Sequence, residues 1–593
     1  MKSIYNEIRA GSREFLKNWW QYLTLFVSVD LVIQLVVIPV FRFITTFVLQ
    51  EGEIPFVSYQ NVVTIVSEHP LVVVCLLLEL LALLLVIYWQ FAIVLLGVRD
   101  IRQGKGGVRQ LLLESGRSLR QLRFASLAIL LGYFVLVIPF ADLVFRTPLL
   151  SKVQIPAFIL DYMTRSSLLL TILIVFYTVM LVLGVRFLLA LPLMVYREQR
   201  PKLALPNSWR LTRGGRWWPL LLRLIIIGLL SGAVMVVSYG VMVGFQLILD
   251  MLPGKLALAS AILNLSLVQL LSEFFSVWTG VLAIGILTRP VATFTSQPGP
   301  GRVSRGTKRA LVIAVSLVSL VTLFNNGLYL TEELRRPVTI SHRGVAEENG
   351  VQNTIPALKK THQLHPDYVE MDVHETKDHQ FVVMHDENLK ELAGVNKAPY
   401  QLTLKQLTHL TAHENGYRAK IASFDDYLRT ADRLHQKLLI EVKTTPHDSS
   451  GMLKNFDRRY GTTILRHHDQ VQSLDYSVVK GLKKLDPQLT VLYIQPYNFT
   501  YPNTAADGYS MEYSTLTHDF INLAHLQHKQ VAAWTVNDTD VMQQMMYNHV
   551  DGIITDNLAD LNDAIKTYES RQSYAQRILN YIMVIPSNQE FEP

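Results

Sequence analysis

A chain of 593 residues, half of them apolar and with a positive mean hydropathy, is too long for one domain and too apolar to be water-soluble throughout. The net charge of +7 is carried largely by basic residues in short stretches between apolar runs, which fits membrane topology and excludes a nucleic-acid groove as its main cause. The lone Cys75 lies inside an apolar run, so an intrachain disulfide and a thiolate metal site are both excluded.

Crossing a bilayer takes roughly 20 apolar residues. Runs of that length extend over Trp20–Leu49, Leu71–Val98, Ala125–Phe145, Leu168–Tyr196, Leu220–Leu249, Leu256–Thr288 and Ala310–Leu330. The first is too long for a signal peptide and lacks a small-residue cleavage site, so it reads as an uncleaved anchor. Basic residues cluster before the first run, between the second and third, after the fourth and after the sixth, whereas Glu51 to Pro70 is poor in them. The positive-inside rule then places the N-terminus in the cytoplasm and, after an odd number of spans, everything beyond Leu330 outside. Arg146, Lys152 and Arg165 fall in an outer loop against that rule, too few to reverse it. Asp30, Glu79, Arg186, Arg223 and Glu273 lie within the apolar runs, where charge marks either a polar cavity or interhelical pairing.

Between the sixth and seventh runs, TSQPGPGRVSRGTKR reads as a linker. The expected organisation is a six-span helical module (1–290), a linker with a seventh, tethering span (291–336), a soluble domain (337–570) and a C-terminal tail (571–593). That tail, SYAQRILNYIMVI, has mixed helical spacing and docks on the soluble domain or lies on the membrane.

In the soluble half, strand-like runs recur at Val338–Ile340, Tyr368–Val373, Phe381–Met384, Leu438–Val442, Val471–Leu474, Thr490–Ile494, Tyr509–Tyr513, Val531–Val536 and Gly552–Thr555, with helical patterns between them. Alternating strand and helix predicts a parallel sheet, and about eight strands over ~230 residues predicts an α/β TIM (β/α)8 barrel. With nine such runs, one either is not a strand or lies outside the barrel.

Three polar clusters follow short β-rich runs: ISHRGVAEENGVQNT, YVEMDVHETKD and FVVMHD. Glu370 and Asp372 are two apart, so on a strand both carboxylates point one way and suit a hard cation such as Ca²⁺ or Mg²⁺. His342 and His385 each end an apolar run, and a His pair supplies the base and the acid that cleavage of a phosphodiester needs. Arg343 can hold a phosphate oxygen through its planar fork. Ser341 beside His342 points to the opposite face of its strand, which argues against a serine nucleophile. The remaining histidines, such as His362, His365, His374, His467, His468, His525 and His528, read as surface residues.

H-R-G, E-x-D, H-D and a later E-x-K (Glu441 to Lys443), followed by AWTVND and DGIITDN, occur in the order of the glycerophosphodiester phosphodiesterase family, which Val338 to Asp563 resembles. The resemblance implies a divalent metal held by Glu370, Asp372 and Glu441, His342 and His385 as the acid/base pair, and Lys443 near the substrate phosphate. Trp534 either lines the glycerol side of the pocket or packs in the barrel. Many members carry P-E-N-T after H-R-G. Here V-Q-N-T puts Gln352 at the Glu position, with Glu347 and Glu348 just upstream, and the sequence does not choose between them. The NGVQNT form is similar to the membrane-bound branch.

The expected activity is hydrolysis of glycerophosphodiesters, whether headgroup diesters or polyglycerol-phosphate and lipoteichoic acid, to glycerol 3-phosphate and an alcohol at the outer membrane face. Two alternatives stand beside it: a membrane module that binds or moves a lipid or envelope polymer with the barrel as accessory, and a phospholipase-like enzyme on intact lipids. Membrane lipids are the expected partners, and nothing in the sequence speaks to oligomeric state.

Overall fold

The computed structural model describes residues 2–52, 54, 57, 62–105, 107–122, 124–137, 149, 155–164, 166–292, 305–332, 335–497, 501–570 and 572–584. Among them, five helices are long and apolar enough to cross a membrane: Ile4–Glu51, Pro70–Arg102, Ser167–Tyr196, Trp217–Leu249 and Gly254–Thr288. They match the first, second, fourth, fifth and sixth expected runs. The third is helical over Phe124–Val137 and the seventh over Arg305–Thr331, so the last residues read as linker already belong to a helix. The remainder of the third run, most of the linker, and Arg146, Lys152 and Arg165 lie outside the described residues.

In hydrocarbon, helices associate through close packing and interhelical hydrogen bonds. Both are present: the Ser231 and Thr279 hydroxyls meet at 2.5 Å, and Phe15, Tyr22, Tyr88, Phe91 and Phe134 fill a shared core. Of the charged residues inside the runs, Glu79 accepts from the Thr45 hydroxyl and Arg223 pairs with Glu7 at 3.4 Å. Arg186 stacks 3.5 Å over the Trp209 ring and donates to its carbonyl. For these three, interhelical pairing is the arrangement observed.

The C-terminal half is a closed barrel of eight parallel strands. In chain order they are β1 (Val338–Ser341), β2 (Tyr368–Glu375), β6 (Lys437–Val442), β7 (Gln470–Ser473), β8 (Val491–Gln495), β9 (Gly508–Glu512), β10 (Gln530–Trp534) and β11 (Gly552–Thr555). The order β1-β11-β10-β9-β8-β7-β6-β2 closes through pairing of β1 with β2. The surplus run is β3 (Phe381–Val383), which pairs antiparallel with β2 outside the barrel. A hairpin of β4 (Thr411–Glu414) and β5 (Tyr417–Lys420) was not anticipated from the sequence, because its strands are short and polar.

Period-2 alternation separates two apolar layers. Val369, Met371 and Val373 face the surrounding helices together with Leu438, Ile440 and Val442, each such burial contributing roughly 1.5–3 kcal/mol. Ile340, Leu439, Leu492, Ala532 and Ile554 form the separate plug inside the barrel. The tail is a helix, Tyr574–Val584, wedged between the two halves. Ile578 packs with Ala261, Leu265 and Leu330, the Ala575 N–H donates to Asp250 at 2.9 Å, and Asn580 donates to the Tyr547 hydroxyl of the barrel at 2.6 Å.

Just before β7, buried Asp469 accepts the Leu438 N–H at 2.7 Å, and burial pushes its carboxyl up to about 7. Its folded value lies above the unfolded one near 3.9, so the protonated form favours the fold and stability falls as pH rises from about 4 to about 7. Asp469→Asn is expected to match the native chain at pH 5 and to exceed it at pH 8 by on the order of 2 kcal/mol. Thermal unfolding in detergent at the two pH values measures this, and an equal offset at both would contradict it.

Candidate active site

The site forms because parallel pairing puts Asp372 of β2 directly opposite Glu441 of β6, with Glu370 two residues earlier on the same inner face. One ligand oxygen from each of Glu370, Asp372 and Glu441 lies within 4.8 Å of the others, and all three residues are buried. Three carboxylates so close in a dry interior cannot all stay charged without compensation. Burial first, then Asp372 and Glu441, pushes the Glu370 carboxyl well above the usual range. Burial alone would lower the Lys443 ammonium. Instead it stands 2.9 Å from Glu441 and 3.2 Å from Asp372, and their charge holds it above its ordinary value. Asp372 is also clamped by Asn353, which donates its side-chain N–H to Asp372 Oδ2 at 2.8 Å and accepts the Asp372 N–H at 3.0 Å. An all-oxygen, net-negative, buried set fits a hard divalent cation.

H-R-G turns at the end of β1. Arg343 sits at φ +52°, a conformation costly for a side-chain-bearing residue, and its N–H donates to Glu370 Oε2 at 2.7 Å. Gly344 follows at φ +66°, where a Cβ would come 2.6 Å from the Tyr427 hydroxyl, so this glycine is required by both backbone and space. The Arg343 guanidinium donates to Gln352 Oε1 and to His385 Nε2, both at 2.8 Å, while its buried Nε has no hydrogen-bond partner among the described residues. A permanently charged group with a spare buried donor fits an anionic ligand.

Each of the expected imidazoles is oriented through Nδ1 by a carboxylate. His342 Nδ1 is 2.8 Å from Asp556, whose second oxygen accepts from Asn537 at 2.8 Å. Burial would raise the Asp556 carboxyl, but His342 and Asn537 hold it below its ordinary value. His385 Nδ1 is 2.9 Å from Asp386. Because arginine only donates, His385 Nε2 is the acceptor and its proton resides on Nδ1. His385 reaches the site because β3 runs back along β2, which returns its C-terminal end to the level of Asp372: the Met384 N–H donates to the Asp372 carbonyl at 3.0 Å.

The position left open after H-R-G resolves to Gln352, the residue that touches Arg343. Behind it, Glu414 of the β4–β5 hairpin accepts from the Gln352 side chain at 2.6 Å and from its N–H at 2.7 Å, so the carboxylate is supplied one residue removed. Glu347 instead accepts the Ala559 N–H at 2.7 Å. Trp534 stands at the end of β10 with its indole N–H donating to the Ser510 carbonyl at 3.0 Å. His374, expected at the surface, is buried at the end of β2. Its Nε2 donates to the His385 carbonyl at 3.3 Å, and burial lowers it to about 4. It lies on the inner face of the barrel rim, which the residue type alone does not reveal. Asp556, Asp386, Asn353 and Glu414 were not singled out from the sequence. Asp556, Asp386 and Asn353 carried a signal in their places in DGIITDN, H-D and V-Q-N-T; Glu414 carried none.

Residues 8–325 match the membrane domain of glycerophosphoryl diester phosphodiesterase, and residues 342–560 match the glycerophosphoryl diester phosphodiesterase family. The glycerophosphodiester phosphodiesterase of Caldanaerobacter subterraneus is 24% identical over 243 residues, 39% of this chain and 98% of that protein. Human lysophospholipase D GDPD1 is 53% identical over 57 residues, 10% of this chain and 18% of that one. A crystal structure of a glycerophosphodiester phosphodiesterase from Parabacteroides distasonis aligns with a TM-score of 0.35 at 23% identity, covering 40% of this chain and 99% of that one.

One Ca²⁺ or Mg²⁺ is expected to bind at the three carboxylates. Calorimetric titration of the full chain should register that site, and Glu370→Gln or Asp372→Asn should weaken it by about tenfold or more. Unaltered affinity in both variants would place the ion elsewhere.

Proposed function

Because the chain belongs to the glycerophosphoryl diester phosphodiesterase family and is a phosphodiesterase of glycerophosphodiesters, we propose that it works with a divalent metal at the outer membrane face, on headgroup diesters or polyglycerol-phosphate. The observation that carries this reading is the pair of carboxylate-oriented imidazoles, His342 with Asp556 and His385 with Asp386, on either side of an arginine with an unused buried donor.

His342, its Nδ1 proton committed to Asp556, presents Nε2 as base to water or to a neighbouring glycerol hydroxyl. An entering phosphate oxygen competes for the Arg343 guanidinium and so frees His385 Nε2. Once freed, His385 Nε2 takes up a proton from water, its Nδ1 proton still donated to Asp386, and passes it to the oxygen of the leaving alcohol. Arg343 and Lys443 offset charge building on phosphorus-bound oxygens. A cation held by Glu370, Asp372 and Glu441 supplies Lewis-acid polarisation of the phosphoryl group. The products are glycerol 3-phosphate and an alcohol.

The membrane half is proposed as a six-span module with a seventh tethering helix. The basic stretches between its runs support a cytoplasmic N-terminus and an extracellular barrel. The phospholipase-like reading draws on the name of the human relative over a short segment.

With purified full chain and glycerophosphocholine, His342→Ala and Asp556→Asn are each expected to lower kcat by roughly 10²- to 10⁴-fold, the range general acid/base catalysis spans. Native-like rates in both would refute the assigned roles. In a Cys75→Ser background, an impermeant thiol reagent applied to intact cells is expected to label Asp560→Cys and to leave Lys105→Cys unlabelled; the reverse pattern would invert the topology.

A further inference from the structure

The membrane half reaches the barrel at its catalytic rim. The helix Ala157–Thr164, which precedes the apolar helix Ser167–Phe187, lies against the ends of β9 and β10. The Ala157 N–H donates to the Ser514 hydroxyl at 3.1 Å, and that hydroxyl donates to Glu512 at 2.6 Å. Glu512 is the register partner of Trp534, and the Phe158 ring lies 5.9 Å from the Trp534 ring, tilted by 50°. Nearby, Arg42 of the first apolar helix pairs with Asp519 at 2.7 Å, a second tie between the same two bodies.

Phe158 is not consumed by this contact: 39% of it stays exposed. On the same helix Ile159 and Tyr162 are also exposed, and Leu168 opens the apolar helix that follows. These side chains form an apolar track from Trp534, at the barrel rim, to the start of a helix long and apolar enough to cross a membrane. A water-soluble diester has no use for such a track. A diester that retains an acyl chain does, because each methylene kept out of water is worth about 0.8 kcal/mol.

We infer that Phe158 is a specificity-determining residue contributed by the membrane half, forming with Trp534 the wall along which a monoacylated glycerophosphodiester is presented to the barrel from the bilayer. The inference rests on the activity proposed above and names its substrate class. The bond broken is the same: the water oxygen joins phosphorus, the headgroup alcohol leaves with a proton, and the acylated glycerol phosphate remains. The apolar track also accounts for a covalently attached membrane half. It keeps the rim at the height where the headgroup of a lipid with a single chain lies.

The test uses the full chain in vesicles of phosphatidylethanolamine and phosphatidylglycerol, with choline release from lysophosphatidylcholine in the vesicles or from glycerophosphocholine in solution. Phe158→Ser is expected to lower the ratio of kcat/KM for the acylated over the soluble substrate by about tenfold, through KM, and Phe158→Leu to preserve it. A parallel fall on both substrates would mean that Phe158 only supports the rim, and an unchanged ratio that it does not select; either overturns the inference. A native chain that cleaves glycerophosphocholine but not lysophosphatidylcholine overturns it while leaving the proposed function standing. Cleavage of neither defeats both.

Discussion

Everything at the catalytic end of this barrel answers to one electrostatic constraint, the crowding of Glu370, Asp372 and Glu441 in a space closed to water. Like charges at that separation in a dry interior repel strongly enough to force compensation. The fold supplies it from several directions: the Lys443 ammonium, the Arg343 N–H and the Asn353 amide. Lys443 sits two residues beyond Glu441, so the strand that adds a negative charge also brings a positive one to the same face. Such a cluster is poor for stability, since well-packed apolar residues would serve at least as well. Its all-oxygen, buried donor set is one that could hold a hard cation.

The turn after β1 ties that cluster to the imidazole of His385. Arg343, at a backbone angle with positive φ, uses its N–H on Glu370 and its guanidinium on Gln352 and His385. One residue thus couples the carboxylates, an imidazole and the hairpin carboxylate Glu414, and the strain at its φ is the kind that the surrounding hydrogen bonds over-determine. The two imidazoles are held alike but from different places, Asp556 after the last strand and Asp386 next in sequence. Holding Nδ1 fixes each ring's orientation, and the other nitrogen of His385 accepts from Arg343.

The two halves of the molecule meet along several contacts. The tail helix Tyr574–Val584 packs against apolar helices and the barrel, Arg42 pairs with Asp519, and Ala157 and Phe158 touch the rim at Ser514 and Trp534. At the rim, the membrane half presents the helix Ala157–Thr164. A barrel tethered by one helix alone would be free to turn its mouth away. The added contacts orient it.

Sequence by itself determined the division into apolar helices and an α/β barrel, because periodicity and length are properties of short windows. It also pointed to Glu370, Asp372, His342, His385 and Arg343 as a candidate site, because their chemistry is concentrated between Ile340 and Asp386. Only the tertiary structure decided that Phe381–Val383 leaves the barrel and doubles back to deliver His385, that Gln352 with Glu414 fills the position after H-R-G, and that Asp556 orients His342 from 214 residues away. It also buried His374, which the strand has to extend beyond Val373 to bring onto the face of Glu370 and Asp372. The reason is physical: strand register and chain reversal follow from burial summed over the closed barrel, so a contact between distant residues has no local signature until every strand is in place.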